Sequence, residues 1–220
     1  MMAMQLDSQL LLAFLPQFRE YLAQLHQNDF LTDEDTTAEH LSFLIHFLEA
    51  EYAAVLQEIK TFTSHGEITF DLLWAIFLPA SVIFTLCETT SEPRAVRLRE
   101  ISLEKRFMTG ESYWKLKCEY VEANDDSSGP ICGLAAISIE ISHFEGVEKI
   151  TGLNAYPMEW HLNKVEVQAK IVERGRRWLR LTGVHHMHYN GMAYRFSEKM
   201  EKTQKMKVCP TSITRYKQIN

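Results

Sequence analysis

The spacing of apolar residues changes period near Ser81, and that change constrains the fold more than any other feature of the chain. Leu41, Leu44, Ile45, Leu48, Tyr52, Val55, Leu56, Ile59 and Phe62 recur at helical spacing. From Ser81 onward apolar residues alternate instead, and period two is the signature of strands with one buried face. Glu111–Ala123 is the cleanest case. Trp114, Leu116, Cys118 and Tyr120 point one way, and Lys115, Lys117 and Glu119 the other. Ser81–Glu88, Ala95–Ser102 and Ile131–Ile141 repeat the pattern. Their connections are short, including Ser91-Glu-Pro93 and the loop Asn124–Pro130. Parallel strands need long crossovers, so these segments predict antiparallel pairing.

Helical signals flank the strands. Ser8–Leu25 is apolar-rich, with Pro16 placed to start a helix, where its missing N–H costs nothing. An acidic linker, Asp29–Asp35, precedes the long stripe. Thr36 and Glu39 have capping-box spacing, and Gly66 marks the stripe's end. Thr69 and Asp71 open a short helix closed by Pro79. A last helix runs from Asn163 to Gly183, with Val167, Ile171, Gly175 and Trp178 on one face; Gly175 is expected to allow close approach to the sheet. Asn190-Gly191 is a hairpin turn signal. Residues 197–207 read as charged and exposed, and 208–220 as one more strand or a frayed tail. The expected class is α+β, an N-terminal helical segment followed by an antiparallel sheet or partly closed barrel with a packed C-terminal helix. The expected parts are a helical segment at 1–65, an α+β domain at 66–196, and a charged tail or final strand at 197–220.

Charge is distributed unevenly. Residues 1–159 hold 10 Lys+Arg against 25 Asp+Glu, and residues 160–220 hold 13 against 4. The basic third either docks on the acidic two-thirds or on a following domain, or it meets an anionic partner such as nucleic acid. An overall pI near 5.9 disfavours a dedicated nucleic-acid binder. No apolar run approaches the roughly 20 residues that span a bilayer, and the first residues lack a basic signal-peptide region. The expected location is intracellular, in cytoplasm or nucleus, without membrane association. Cys87, Cys118, Cys132 and Cys209 form no C-x-x-C pair and read as packed thiols.

Chemistry-bearing residues are few. His185, His186 and His188 form the sole histidine cluster, and the last two share a strand face. A zinc site needs a third placed ligand, and none is identifiable, so no metal or cofactor is expected. A small metal-dependent hydrolase built on these histidines is the alternative reading. Lys170, Arg174, Arg176, Arg177 and Arg180 crowd the last helix, where cations complement the helix dipole. Arg174 and Arg177 are candidates for an anion- or nucleic-acid-binding face. Asp125-Asp126 lacks the further oxygen ligands of a calcium loop. No nucleophile elbow, dinucleotide turn or kinase motif occurs.

The block His65-Gly-Glu-Ile-Thr-Phe-Asp-Leu-Leu-Trp-Ala-Ile-Phe77 resembles the N-terminal domain of unknown function of fungal AAA-type ATPases. Glu92-Pro-Arg94, Trp114–Tyr120, Ile150-Thr-Gly-Leu-Asn-Ala-Tyr-Pro157, Gly175-Arg-Arg177, Gly183-Val-His-His186 and Tyr189-Asn-Gly-Met-Ala193 extend the resemblance over roughly residues 55–195. Where that family carries a Pro-Pro-Gly-like turn, this chain has Leu78-Pro-Ala-Ser81. No G-x-x-x-x-G-K-[ST] loop is present, so ATP hydrolysis does not carry over to this chain. The resemblance implies a non-catalytic module that recruits a protein partner or substrate, or serves an ATPase core in a longer chain. It transfers no catalytic residue.

Overall fold

The computed structural model describes residues 8–27, 36–87, 90–123, 132–180, 186–188, 191–197, 202–208 and 213–215. Four helices come first: α1 (Ser8–Ala13), α2 (Leu15–Gln27), α3 (Thr37–Glu51) and α4 (Ala53–Ser64). β1 (Glu67–Thr69) and a 3-10 helix at Phe70–Ala75 follow. Then come β2 (Val82–Leu86), β3 (Pro93–Lys105), β4 (Ser112–Ala123), β5 (Cys132–Ser142), β6 (Val147–Lys149), β7 (Ala155–Pro157) and α5 (Lys164–Arg180). The last strands are β8 (His186–His188), β9 (Gly191–Ser197), β10 (Lys202–Val208) and β11 (Ile213–Arg215).

The class is α+β with antiparallel sheets. The main sheet has the order β5-β4-β3-β2-β7. Its terminal strands, β5 and β7, do not pair with each other, so the sheet is open and the partly closed barrel is corrected. β7 falls at the end of the block Ile150-Thr-Gly-Leu-Asn-Ala-Tyr-Pro157, which carries no strand signal. Three residues are too few to show alternation, yet Ala155 and Tyr156 pair with Thr85 and Phe84 of β2.

Contacts divide the chain into two compact units. The first comprises Met1–Ser81, Ile101–Lys115 and Glu140–Leu153. Here Pro16 occupies the first turn of α2, as its lost N–H permits. The long apolar stripe is not one helix: it breaks at Tyr52 (φ −110°, ψ 23°) into α3 and α4. The Tyr52 amide still bonds to the Leu48 carbonyl, so the periodicity runs through the break unaltered. The Thr36 side chain does not cap α3, and that of Thr69 does not cap the 3-10 helix; spacing alone did not secure either cap. Gly66 does terminate α4 with φ +70°, and its carbonyl accepts the Ile150 amide at 2.9 Å. That bond lies beside the β1–β6 pairing, where Ile68 stands opposite Glu148. Leu15, Leu48, Ile68, Leu73, Phe77 and Ile150 fill this unit's core. Buried Trp114 donates its indole N–H to the Phe70 carbonyl at 2.9 Å, so a large ring enters the core with its polar atom satisfied.

The second unit comprises Val82–Glu100, Leu116–Ile139 and Asn154–Asn220. Ile83, Leu98, Leu116, Cys118 and Met158 are its large, most deeply buried side chains, with Ala155 beside them in full burial. Burial pushes the Cys118 thiol up to about 11. Thr85, a buried polar residue, donates its hydroxyl to the Asn154 carbonyl at 3.0 Å. Pro93 opens β3, a position that demands no ladder N–H, although its sequence reads as turn. Asn190 of the hairpin signal lies outside the described residues, and the described strands on either side pair elsewhere. β8 pairs with β11 and β9 pairs with β10, so residues 202–208 are a strand.

Candidate functional groove

A groove of about 590 Å³ lies in the second unit, lined by β3, β4 and α5. The strand wall presents Arg94, Ala95, Tyr120 and Val121; the helix wall presents Ile171, Arg174, Gly175, Trp178 and Leu179. The volume falls in the range of about 300–1,000 Å³ typical of binding clefts. Most of the lining is apolar, with two arginines as its charged groups.

Both arginines are held in place by neutral groups. The Arg94 guanidinium sits 4.0 Å from the centroid of the Tyr120 ring. Such stacking satisfies the cation's face and leaves its N–H edges available. Arg174 donates from Nη2 to the Pro93 carbonyl at 2.6 Å, tying α5 to the start of β3. Among the described residues, neither arginine reaches a carboxylate. Cations elsewhere in this unit do: Arg97 and Arg99 pair with Glu119, and Lys117 pairs with Glu100 at 3.0 Å. Those pairs alternate with Leu116 and Cys118 along β4, so they occupy the other face of the strand.

Gly175 bares the helix wall of the groove. The expectation that it admits close approach to the sheet is corrected, because a Cβ built there would meet nothing within 4 Å. Mid-helix glycine costs about 1 kcal/mol relative to alanine, and here no packing offsets the cost. Its missing side chain leaves the groove open beside Trp178.

Of the two arginines singled out for chemistry, one faces the groove and the other does not. Arg174 lines the groove. Arg177 points elsewhere and forms a one-turn pair with Glu173 at 3.1 Å. His185 lies outside the described residues. His186 and His188 alternate with Met187 in β8, and their register partners are Arg215 and Ile213. Among the described residues, no three His, Cys, Asp or Glu side chains form a group that could hold a metal. No described helix is long and apolar enough to cross a membrane. Sequence reasoning missed Arg94, Tyr120 and Trp178 as a set. The signal available was the glycine inside an otherwise regular helix.

Residues 58–162 match a family model described as a domain of unknown function, DUF7025. The match covers a little under half of the chain and runs from α4 through β7 to the residues just before α5. The strand wall of the groove lies inside it and the helix wall outside. Neither the curated proteins nor the solved structures yield a match.

Proposed function

We propose that this chain is a non-catalytic interaction domain that receives a segment of a partner protein in the groove beside α5. The observation that carries the reading is Gly175. It leaves space in the helix wall, costs helix stability and has no packing role. An apolar floor with arginines at its margin suits a side chain anchored among polar contacts better than bond-making chemistry. The blocks from Gly66 to Ala193 extend the reading to accessory service for an AAA-type ATPase, in the same polypeptide or in another. The absence of a phosphate loop in the sequence supports assigning no hydrolysis to this chain.

The test is selection of a displayed random-peptide library on the full chain, repeated with Gly175→Leu. Leucine has better helix propensity than glycine, so the variant keeps the fold while its side chain enters the groove. Circular dichroism and thermal melting verify the fold. The expected outcome is a set of binders lost on Gly175→Leu. Binders insensitive to that substitution, or none at all, overturn the reading.

A further inference from the structure

Besides the stripe facing the groove, α5 carries a second apolar stripe. Val165, Ala169, Val172 and Leu179 follow one another at alternating steps of four and three, with Arg176 in the remaining position. That spacing places them along one side of the helix, as in a coiled-coil seam. Val165 is 79% exposed, Val172 48% and Leu179 53%, so the side is open along its length. Leu179 belongs to both the stripe and the groove wall, which makes the two surfaces continuous. No residue of α5 is fully buried. An isolated exposed valine needs no explanation; three large aliphatics repeating every seventh residue on one helix call for a partner.

Charge identifies the partner's character. Arg176 interrupts the stripe and Arg180 follows one turn on, while Arg94 and Arg174 stand at the groove. Among the described residues, Lys170, Arg176 and Arg180 make no ion pair. α5 itself holds six basic against two acidic residues, so the field along it is positive. Basic partners are repelled and acidic ones are steered in. A nucleic-acid strand would match the charge but would leave the aliphatic seam unsatisfied.

We infer that the segment received at α5 is an acidic amphipathic helix, packing its apolar seam along Val165, Val172 and Leu179 and inserting one bulky side chain beside Gly175. This rests on the groove reading above. The seam sets a helix rather than a strand as the partner, because its seven-residue repeat matches helical knobs. At about 1.5 Å per residue, the 17 residues of α5 offer roughly 25 Å of length, enough for a little over two heptads.

The experiment uses the full chain and synthetic peptides of about three heptads with leucine at the seam and glutamate on the flanks. Two controls accompany it: the same peptide with lysine for glutamate, and a scramble of identical composition. Binding is followed by fluorescence anisotropy. The acidic heptad peptide is expected to bind, weakening at least tenfold on Val172→Glu or Gly175→Leu and falling with added salt. The scramble and the lysine peptide are expected to bind at least tenfold more weakly. Equal binding of the scramble overturns the helix assignment, and binding of the lysine peptide overturns the charge assignment. No binding of the acidic peptide overturns the inference. In that last case the library selection separates the causes: extended or basic binders that are lost on Gly175→Leu leave the groove standing with a different occupant.

Discussion

Gly175→Ala is expected to stabilise the protein. Gly175 lies well inside α5, which runs from Lys164 to Arg180, and its φ is not among the positive values. A Cβ there meets no atom within 4 Å, so the substitution brings neither clash nor new packing. What remains is backbone entropy and helix propensity, worth about 0.8–1.0 kcal/mol in alanine's favour. For a chain of this size that corresponds to a rise of roughly 2–4 °C in melting temperature. Equilibrium urea unfolding, with an unchanged slope and a raised midpoint, checks the magnitude. Gly66→Ala is the matched control. It too has open space around a built Cβ, but its φ is +70°, where a side chain is strained. It should lose about 1 kcal/mol. The pair isolates backbone conformation as the cause, since neither glycine has a packing neighbour. If Gly175→Ala were neutral or destabilising, α5 would be held by something other than its own helical backbone, and the account of the groove as tolerated empty space would fail.

Three further substitutions and one titration probe other parts of the fold. Ala80 adopts φ 68° as the third residue of a turn in which the Ser81 amide bonds to the Leu78 carbonyl; Ala80→Gly should relieve that strain and stabilise by about 0.5–1 kcal/mol, read from thermal melts. Trp114→Phe removes the donor to the buried Phe70 carbonyl and should cost about 1–3 kcal/mol in urea unfolding; a smaller loss would mean that water replaces the indole. Leu116→Ala, at a site with no exposed surface, should cost about 2–5 kcal/mol by the same measurement. The Cys118 thiol, lifted to about 11 from 9.0 by burial, stays protonated in the fold while the unfolded chain ionises. Stability from this group is therefore intact below pH 9 and lost as pH rises from 9 towards 11, by up to about 1.4 kcal/mol per unit. Cys118→Val should flatten that slope.

Where the chain's own local chemistry decided the outcome, reading it was enough. β4 and β5 begin and end within a residue of their alternating segments, because one face of each must be apolar. Gly66 ends its helix because only glycine takes that φ cheaply. Other features depend on distant partners and leave little trace. β1, β6 and β7 are three residues each, too short for a period, and exist because their mates are in place. β8 finds β11 rather than its near neighbour. Arg174 stood out by charge alone. Its site arises from a contact to Pro93, 81 residues earlier, and from Tyr120 on a third segment.

The groove's two walls come from stretches under different constraints. Arg94, Ala95, Tyr120 and Val121 project from strands that also carry Val96, Leu98, Leu116 and Cys118, all buried. A change of backbone there disturbs the core. The opposite wall is a helix without a single buried residue. Substitutions at the exposed positions of α5 should therefore carry little folding penalty, and drift can rewrite that surface while the sheet stays as it is. A duplicated copy of this gene would need only a handful of helix substitutions to change its binding preference, with the matched segment at residues 58–162 inherited unchanged.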